Sequence, residues 1–450
     1  MKTDLHNYDV YPKVFLVGKP VNITIKPLGD HVAFTGKEDF ILISTAHGAV
    51  SDYPERHNYK KLEMEIGEDG CARFTWVFPE ESEYLIRIIL RHKGNREIDL
   101  SVYALAEDMR GRYPYRGDLH LHTCRSDGSQ SPAVVVANYR RHGYDFTIIS
   151  DHGRYYPSLE AIDIYKNVPT EMNIVMGEEV HLPDNDVHII NFGGKYSVNG
   201  LVEVTAQSKE SKRRAVIDNP PPVLSVEEYK KQVNELAETL DIPDGIEKFI
   251  YAASVWAFQH IRNGEGLGIY AHPYWKSDGA YQIPETLNEY MTATHPFDAF
   301  EVLGGESYYQ QNGFQTLRYY EDRAKGIKYP IVGSTDSHNS IAEDNRNALI
   351  CTTMVFAKEN EREALISAIK EEYSVAVDTI SKEYRLVGDF RLVKYTRFIL
   401  DEFTPLHDEL CFEEGRLMKA YVTGDETALD GLKFIYGRMQ KLYDKYFQLK

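Results

Sequence analysis

The sequence predicts an α/β protein with an all-β domain at its N-terminus and a helical appendage at its C-terminus. Three observations support this fold class: short alternating strands before residue 112, seven strand-like runs interspersed with helical stretches from residue 113, and a helical pattern from about residue 383 onwards. The length agrees with this division, because a chain of 450 residues is too long for a single small core.

The first 112 residues are predicted to form a small β-sandwich. Val21, Ile23 and Ile25 alternate with polar residues, which is typical of a strand with one buried face. Residues 74–78 repeat this alternation, and turn signals such as residues 68–70 separate the strand candidates. Several short strands at this spacing favour a sandwich.

The pattern changes at Gly117, where apolar runs begin to alternate with helical stretches, as in a mostly parallel α/β sheet or barrel. We therefore assign residues 113–382 to an α/β domain, with a helical insertion at about 200–245. Residues 383–450 form the C-terminal helical region. The seven strand candidates read GDLHLH, FTIISDHG, NIVMGEEV, HIINFGG, GLGIYAHP, DAFEVLGG and PIVGSTDSH.

The composition and charge of the chain limit the kinds of partner that this protein is expected to have. The formal net charge is −18 and no basic stripe is present, so we expect no nucleic-acid polymer as a partner. No uncharged stretch is long enough to span a bilayer or to serve as a signal peptide, so we expect no membrane association. The four cysteines are widely separated, which fits reduced thiols and a cytoplasmic location. A homo-oligomer is one of the states that the sequence leaves open.

Histidines and carboxylates recur at or near the ends of the strand candidates. Residues i and i+2 of a strand point to one face, and strand ends meet at one face of an α/β barrel, so these side chains can converge. A lone histidine at a strand end is more often structural. Six histidines and three carboxylates at such positions, however, indicate a polynuclear centre of zinc, manganese or iron. They are His120, His122, Asp127, His152, Glu179, His188, His272, Asp336 and His338.

The stretch GDLHLHTCRSDG resembles the first motif of the polymerase and histidinol phosphatase (PHP) superfamily of metal-dependent phosphoesterases. The stretches SDHG, GEEV, AHP and TDSH resemble its later motifs in the same order, and the resemblance covers roughly Tyr113 to Asp378. The layout is similar to the group with an N-terminal β-domain, which includes carbaryl-hydrolase-like metallohydrolases. The resemblance implies a distorted barrel of seven strands and seven helices.

Carried over by position, the resemblance implies that all nine residues are ligands of two or three divalent ions (Mn, Zn or Fe). Two positions have competitors. Glu178 competes with Glu179, which the family spacing selects, and His181 competes with His188, which the following asparagine favours. Glu179, Asp127 and His272 are predicted as catalytic residues, with Glu179 bridging two ions as its family counterpart does.

Substrate-binding residues are predicted from their position beside the motifs. Arg125, Arg154 and Arg346 could bind a phosphate group, although for each of them a surface charge is the more common role. Tyr274 and Trp275 follow the AHP motif and could stack on an aromatic group, or they could be packing residues.

The resemblance implies a phosphoesterase in which a metal-bridging hydroxide attacks a small phosphomonoester or phosphodiester. Two alternatives remain. The same cluster could hydrolyse a carboxylic ester, a carbamate or an amide, or the chain could be a non-catalytic, metal-stabilised binding scaffold. Both enzymatic interpretations imply a small-molecule partner, and the phosphoesterase interpretation implies a phosphorylated one.

Overall fold

The computed structural model describes residues 3–35, 41–45, 60–62, 64–90, 96–203, 222–304, 309–341, 351–379 and 385–450. The chain forms two compact units. The first comprises Met1–Tyr113, Lys394–His407 and Gly437–Lys450, and the second comprises Pro114–Val393 and Asp408–Tyr436. In the described part of the chain no helix combines the length and the apolar character needed to cross a bilayer.

The first unit is built on two sheets around one apolar core. One sheet has the strand order β1-β3-β7-β6, and the other has the order β2-β9-β8-β4-β5 with the C-terminal strand Phe447–Gln448 beside β2. Ile23 and Ile25 of the first sheet share a core with Ile86 and Ile88 of the second. The strands are β1 Tyr8–Tyr11, β2 Val14–Leu16, β3 Pro20–Pro27, β4 Ile41–Thr45, β5 Lys60–Leu62, β6 Glu65–Ile66, β7 Ala72–Val77, β8 Ser82–Leu90 and β9 Arg96–Leu105.

The second unit mixes strands and helices, so the α/β class predicted for this region is observed. At the start of its helix Val226–Thr239, the Ser225 hydroxyl accepts from the Glu228 N–H, and the Glu228 side chain accepts from the Ser225 N–H, which forms a capping box. Its elements are β10 Tyr113–Asp118, α1 Pro132–Arg141, β11 Phe146–Ile148, α2 Tyr156–Tyr165, β12 Asn173–Val175, β13 Gly177–Val180, β14 Ile189–Phe192, α3 Val226–Thr239, α4 Lys248–Asn263, β15 Leu267–Tyr270, β16 Lys276–Ser277, β17 Ala280–Tyr281, α5 Glu285–Thr294, β18 Ala299–Leu303, α6 Tyr309–Ala324, β19 Ile331–Gly333, β20 Cys351–Ala357, α7 Arg362–Lys370, β21 Ser374–Asp378 and β22 Arg385–Val387.

The C-terminal part of the chain is mainly helical, as predicted, and its elements are divided between the two units. Most of helix α8, from Lys394 onwards, and strand β23 belong to the first unit, whereas α10 belongs to the second. The elements are α8 Phe390–Glu402, α9 Thr404–Val422, α10 Ala428–Ile435, α11 Arg438–Tyr446 and β23 Phe447–Gln448.

The strands of the second unit lie in two larger sheets, of order β12-β11-β10-β20-β21-β22 and β13-β14-β15-β18-β19, and in the two-stranded hairpin β16-β17. Pairs β10–β11 and β15–β18 are parallel, but β13–β14 and β14–β15 are antiparallel, so the expectation of mostly parallel strands is only partly met. The run NIVMGEEV, predicted as one strand, divides into β12 and β13 in different sheets. Single parallel bridges join His152 to Glu179 and Leu121 to Ser337.

Strand β13 depends on the absence of a side chain at Gly177. A Cβ at this position would lie 2.1 Å from the backbone oxygen of Asn191 and 2.2 Å from Cδ1 of Ile148. The substitution Gly177→Ala is therefore expected to destabilise the protein by about 1–3 kcal/mol, because the partner-strand backbone cannot move aside without breaking the pairing. Thermal unfolding measures this effect. Gly313→Ala is the control, since its Cβ would meet no atom within 4 Å; equal midpoints for the two variants would contradict the prediction.

Candidate metal centre

Two short segments place the first and last ligand pairs side by side. Directly after β10, the His122 N–H donates to the Ser337 carbonyl at 2.8 Å. Directly after β19, the Asp336 N–H donates to the His120 carbonyl at 2.9 Å. This parallel pairing brings the side chains of the two pairs together, although Asp336 itself has a φ angle of +52° and is not extended.

Four donors from three segments form the innermost group: His120, His122, Glu179 and Asp336. Nε2 of His122 lies 2.8 Å from Oδ1 of Asp336 and 3.2 Å from Nε2 of His120. Nε2 of His120 lies 3.2 Å from the same Oδ1 atom. Oε2 of Glu179 lies 3.6 Å from Nε2 of His120 and 3.5 Å from Nε2 of His122. Ligands held about 2.0–2.2 Å from one ion in octahedral or tetrahedral geometry are about 2.8–3.6 Å apart, so these spacings suit a metal site.

A second group lies closer to solvent. Oδ2 of Asp127 is 3.5 Å from Nε2 of His152 and 3.3 Å from Nε2 of His338. The His122 ring stacks against both of these imidazoles, with its centroid 4.2 Å from that of His152 and 4.4 Å from that of His338. His122, Asp127, His152 and His338 each offer one donor atom, and these atoms lie within 4.8 Å of one another.

The remaining two predicted ligands approach the other oxygen of Glu179. Nδ1 of His188 lies 2.8 Å from Oε1, and Nε2 of His272 lies 4.0 Å from the same atom. Nε2 of His272 is also 3.8 Å from Oδ2 of Asp336. The structure therefore brings all nine predicted ligands into one cluster, with the Glu179 carboxylate between its parts.

The unsatisfied polar atoms of the cluster fit metal ions. Glu179 is fully buried, and neither carboxylate oxygen has a well-aligned hydrogen bond among the described residues, although Nδ1 of His152 lies 2.6 Å from Oε2 and Nδ1 of His188 lies 2.8 Å from Oε1. Nδ1 of His188 is likewise buried without a hydrogen bond from the described residues. Buried polar atoms normally have partners, and a cation would supply one. Burial lowers the pKa values of His122 and His272 to about 3, so both rings are neutral and present lone pairs.

Groups behind the ligands fix their orientation. Nδ1 of His338 donates to the Asp336 carbonyl at 2.8 Å, which leaves Nε2 as the lone-pair nitrogen facing Asp127. Gln282 lies 3.3 Å from Nε2 of His188, so its amide can hold the ring with Nδ1 towards Glu179. Glu301 lies 3.1 Å from Nδ1 of His120.

Asp118 and Asp151, which directly precede ligand-bearing segments, brace backbone and hydroxyl groups rather than imidazole rings. Asp118 accepts from Tyr139, from Thr335 and from the His120 N–H, and burial raises its pKa to about 6 against the opposing effect of these bonds. Asp151 accepts from both the N–H and the hydroxyl of Thr123 and so holds the loop that carries Asp127.

The predicted substrate-binding residues are placed less clearly. The guanidinium of Arg125 forms a two-point ion pair with Glu160, at 2.9 and 2.7 Å. Arg154 is half-buried directly after the second motif, and Arg346 lies outside the described residues.

Tyr274 has the contacts of a packing residue. Its ring is only 6% exposed, and its hydroxyl donates to Glu285 at 3.1 Å. Of the two aromatic residues after the AHP motif, Trp275 is the one beside the ligands, with ring centroids 6.0 Å from His188 and 6.2 Å from His272. The structure thus favours packing for Tyr274, the alternative to stacking on substrate.

The sequence did not select His181, which also reaches the cluster. Its Nε2 atom lies 2.8 Å from Nδ1 of His152 and 3.4 Å from Oε2 of Glu179. Its place two residues after Glu179 is the signal that could have identified it, because i and i+2 share a face of the strand. His181 and His188 therefore approach different oxygens of the same carboxylate.

Substitution of these two histidines is expected to have unequal effects. His188→Ala should weaken the binding of one ion by about 10-fold or more, because Nδ1 is buried against Glu179. His181→Ala should have a smaller effect, since its side chain is 35% exposed and its Nε2 contacts His152. Chelator competition measures both affinities, with the exposed His31→Ala as control. The reverse order would identify His181 as the principal ligand.

The chain is similar to several solved structures of proteins described as metal-dependent phosphoesterases or amidohydrolases, at low sequence identity. No protein-family model matches the sequence, and no curated protein matches it. Among solved structures, a two-domain protein from Bacteroides vulgatus containing a predicted PHP-like metal-dependent phosphoesterase is similar at 15% identity and a TM-score of 0.37; the alignment covers 59% of this chain and 65% of that one, slightly less than two thirds.

Two further solved structures are similar over about half of the chain. A protein from Bifidobacterium adolescentis, described as a metal-dependent phosphoesterase, has 16% identity and a TM-score of 0.32, with 52% and 92% of the two chains covered. An amidohydrolase from Chromobacterium violaceum, with bound sulfate and no metal, has 17% identity and a TM-score of 0.31, with 51% and 89% covered. Of these three solved structures, the one from Bacteroides vulgatus is described as PHP-like, the family that the sequence motifs resemble.

Proposed function

We propose that this protein is a metal-dependent phosphoesterase that hydrolyses a small phosphomonoester or phosphodiester at a centre of two or three divalent ions. The observation that carries the proposal is Glu179, a fully buried carboxylate that has no well-aligned hydrogen bond among the described residues and is surrounded by imidazole nitrogens, two of them within 2.8 Å of its oxygens. A purely structural glutamate would be hydrogen-bonded at such a site, as its neighbour Glu178 is.

We infer that the seven strands around the centre form a distorted ring in the order β10, β11, β13, β14, β15, β18, β19. Strand pairing within the two sheets supports five of the seven neighbour relations. The bridges His152–Glu179 and Leu121–Ser337 support the other two, between β11 and β13 and between β19 and β10. Such a ring would direct the ends that carry the ligands to one face.

The exposure of the ligands indicates where substrate would enter. His120, His122 and Glu179 are buried, whereas the Asp127 side chain is 55% exposed and that of His152 is 29% exposed. A substrate would therefore meet the Asp127 side of the cluster first. Divalent ions bound here would lower the pKa of a water molecule and stabilise negative charge on the phosphoryl group.

The residues of the chain would position the reacting groups. Glu179 presents one oxygen to each part of the cluster, and Asp336 presents Oδ1 to His120 and His122 and Oδ2 towards His272. These buried carboxylates offset the charge of the ions, while Asp127 closes the outer group beside the open face. Small anions suit this arrangement, because ions reverse the local field of a chain whose formal net charge is −18.

A carbonyl hydrolase is the second candidate, and Trp275 is the observation that favours it. Its half-buried ring beside His188 and His272 offers an apolar wall for an ester, a carbamate or an amide. The scaffold alternative explains the exposure of Asp127 less well, because a structural metal site does not need solvent-exposed ligands.

One preparation tests these alternatives. Protein purified without chelator is analysed for bound metals and assayed against bis-p-nitrophenyl phosphate, p-nitrophenyl phosphate and p-nitrophenyl acetate. The proposal expects two or three ions per chain and turnover of a phosphate ester, with both lost in His120→Ala. Turnover of the acetate alone would support the carbonyl hydrolase. Bound metal without turnover of any substrate would support the scaffold, and less than one ion per chain after reloading would contradict the metal centre.

A further inference from the structure

Glu301 is a buried carboxylate that the ligand set does not use. It lies on β18, where all five residues are buried and the pairing with β19 is interrupted by a bulge between Glu301 and Leu303. Bulges change the direction in which a side chain points, and they are frequent next to functional sites. Here the Glu301 side chain reaches the inner side of the metal centre.

Two donors from two different ligands converge on this carboxylate. Oε2 lies 3.1 Å from the ring atom Nδ1 of His120, and Oε1 accepts the backbone N–H of His272 at 3.3 Å. His272 has a φ angle of +23°, a backbone conformation that side chains other than glycine rarely adopt. Glu301 thus contacts the ring of one ligand and the strained backbone of another.

We propose that Glu301 is a positioning residue of the metal centre: it keeps the ring proton of His120 on Nδ1 and braces His272, so that His120 presents the lone pair of Nε2 to a metal ion. The inference rests on the proposed metal centre and adds a residue that acts through two ligands. Nε2 of His120 faces Asp336 at 3.2 Å and His122 at 3.2 Å, which is the direction that this tautomer requires.

The chemistry of the site explains why a carboxylate is required. Glu301 accepts from two N–H groups, one with each oxygen. Glutamine has one acceptor oxygen and one NH₂ group, so in Glu301→Gln one of the two N–H donors would face another donor. If the NH₂ group faces His120, the ring proton must move to Nε2, and the nitrogen that would bind metal is blocked. If it faces His272, the strained backbone loses its acceptor.

Gly304 offers an independent way to disturb the same residue. A Cβ at this position would lie 1.8 Å from Oε1 of Glu301 and 2.3 Å from its Cδ. Gly304→Ala would therefore displace the carboxylate without changing its charge. Agreement between the two variants would assign the effect to the position of the carboxylate and not to the loss of a buried charge.

The test is metal affinity, measured by chelator competition, together with the visible absorption bands of the Co²⁺-substituted protein. We expect Glu301→Gln and Gly304→Ala each to weaken the binding of at least one ion by about 10–100-fold and to alter the Co²⁺ bands. Glu414→Gln is the matched control, since Glu414 is buried and bound to Arg140, and we expect it to keep the wild-type affinity even if the protein unfolds at a lower temperature.

The outcomes separate this inference from the proposed function. If wild-type protein binds two or three ions and Glu301→Gln binds them with the same affinity and the same Co²⁺ bands, the positioning role is wrong and the phosphoesterase proposal stands. If wild-type protein binds no metal, both are wrong. If the Glu414→Gln control weakens metal binding as strongly as Glu301→Gln, the effect reflects general destabilisation and the inference is overturned.

Discussion

Glu179→Gln is expected to remove at least one metal ion per chain and to lower the kcat for ester hydrolysis by about 100-fold or more. Oε2 of Glu179 lies 2.6 Å from His152, and Oε1 lies 2.8 Å from His188, so each oxygen serves a different part of the cluster. An amide supplies one acceptor and one donor and carries no charge. It can therefore neither hold both parts together nor offset the charge of two ions.

Glu178→Gln is the matched control for this experiment. Glu178 is the preceding residue and is equally buried. Its carboxylate, however, accepts hydrogen bonds from Ser197, Asn199 and Asn191, and no contact with an imidazole of the described residues is seen. We expect it to retain its metal ions and its kcat per folded molecule. Metal analysis and steady-state kinetics decide the matter, and a reversed result would mean that Glu178, the competitor in the GEEV motif, is the bridging residue.

The positions of the nine ligands could be predicted because their local rule is simple. The ends of strands in such a fold are expected to meet at one face, and residues i and i+2 of a strand share a side. The H-x-H pair and the D-x-H pair are therefore expected to converge whatever the details of the sheet. The observed hydrogen bonds between the segments of His122 and Ser337 follow the same parallel geometry. In this part of the site, local spacing contains most of the necessary information.

The direction of the strands could be predicted from the sequence less well than the convergence of these side chains. Strands β13, β14 and β15 are short and buried on both faces, and short buried runs do not show in the sequence whether they pair in parallel or antiparallel. The antiparallel β13–β14 pair is what carries His181 and His188 back to the same carboxylate. A sequence pattern that does not fix direction cannot show that both histidines arrive there.

The supporting residues depend on contacts between distant segments. Glu301 and His120 are 181 residues apart, and the bulge on β18 that accompanies their contact has no simple pattern in the sequence. Arg125, predicted to bind phosphate, is paired with Glu160 of α2. Sequence spacing indicates which residues could be ligands, but tertiary packing decides which charged groups are already paired and which remain for substrate.

Metal removal is the second perturbation for which we expect a large effect, and thermal unfolding measures it. Each ion present at a thousandfold excess over its Kd stabilises the folded state by about 4 kcal/mol, so chelation should lower the unfolding midpoint by several degrees. Without ions, the buried carboxylates of Glu179 and Asp336 have only the surrounding imidazoles to balance their charge. Re-addition of Zn²⁺ or Mn²⁺ should restore the midpoint.

The metal dependence should itself vary with pH. Burial disfavours the charged form of His152, but Glu179 and Asp127 outweigh this effect and raise its pKa to about 11, so the ring is protonated at neutral pH in the metal-free chain. A metal ligand must be neutral, so ion binding releases this proton and the affinity should rise as the pH is raised from 6 to 8. Chelator competition across this range checks the sign. An affinity that does not vary with pH would contradict the release of a proton from His152. An unfolding midpoint that does not respond to metal in wild-type protein, with His120→Ala behaving identically, would mean that the cluster does not assemble around ions.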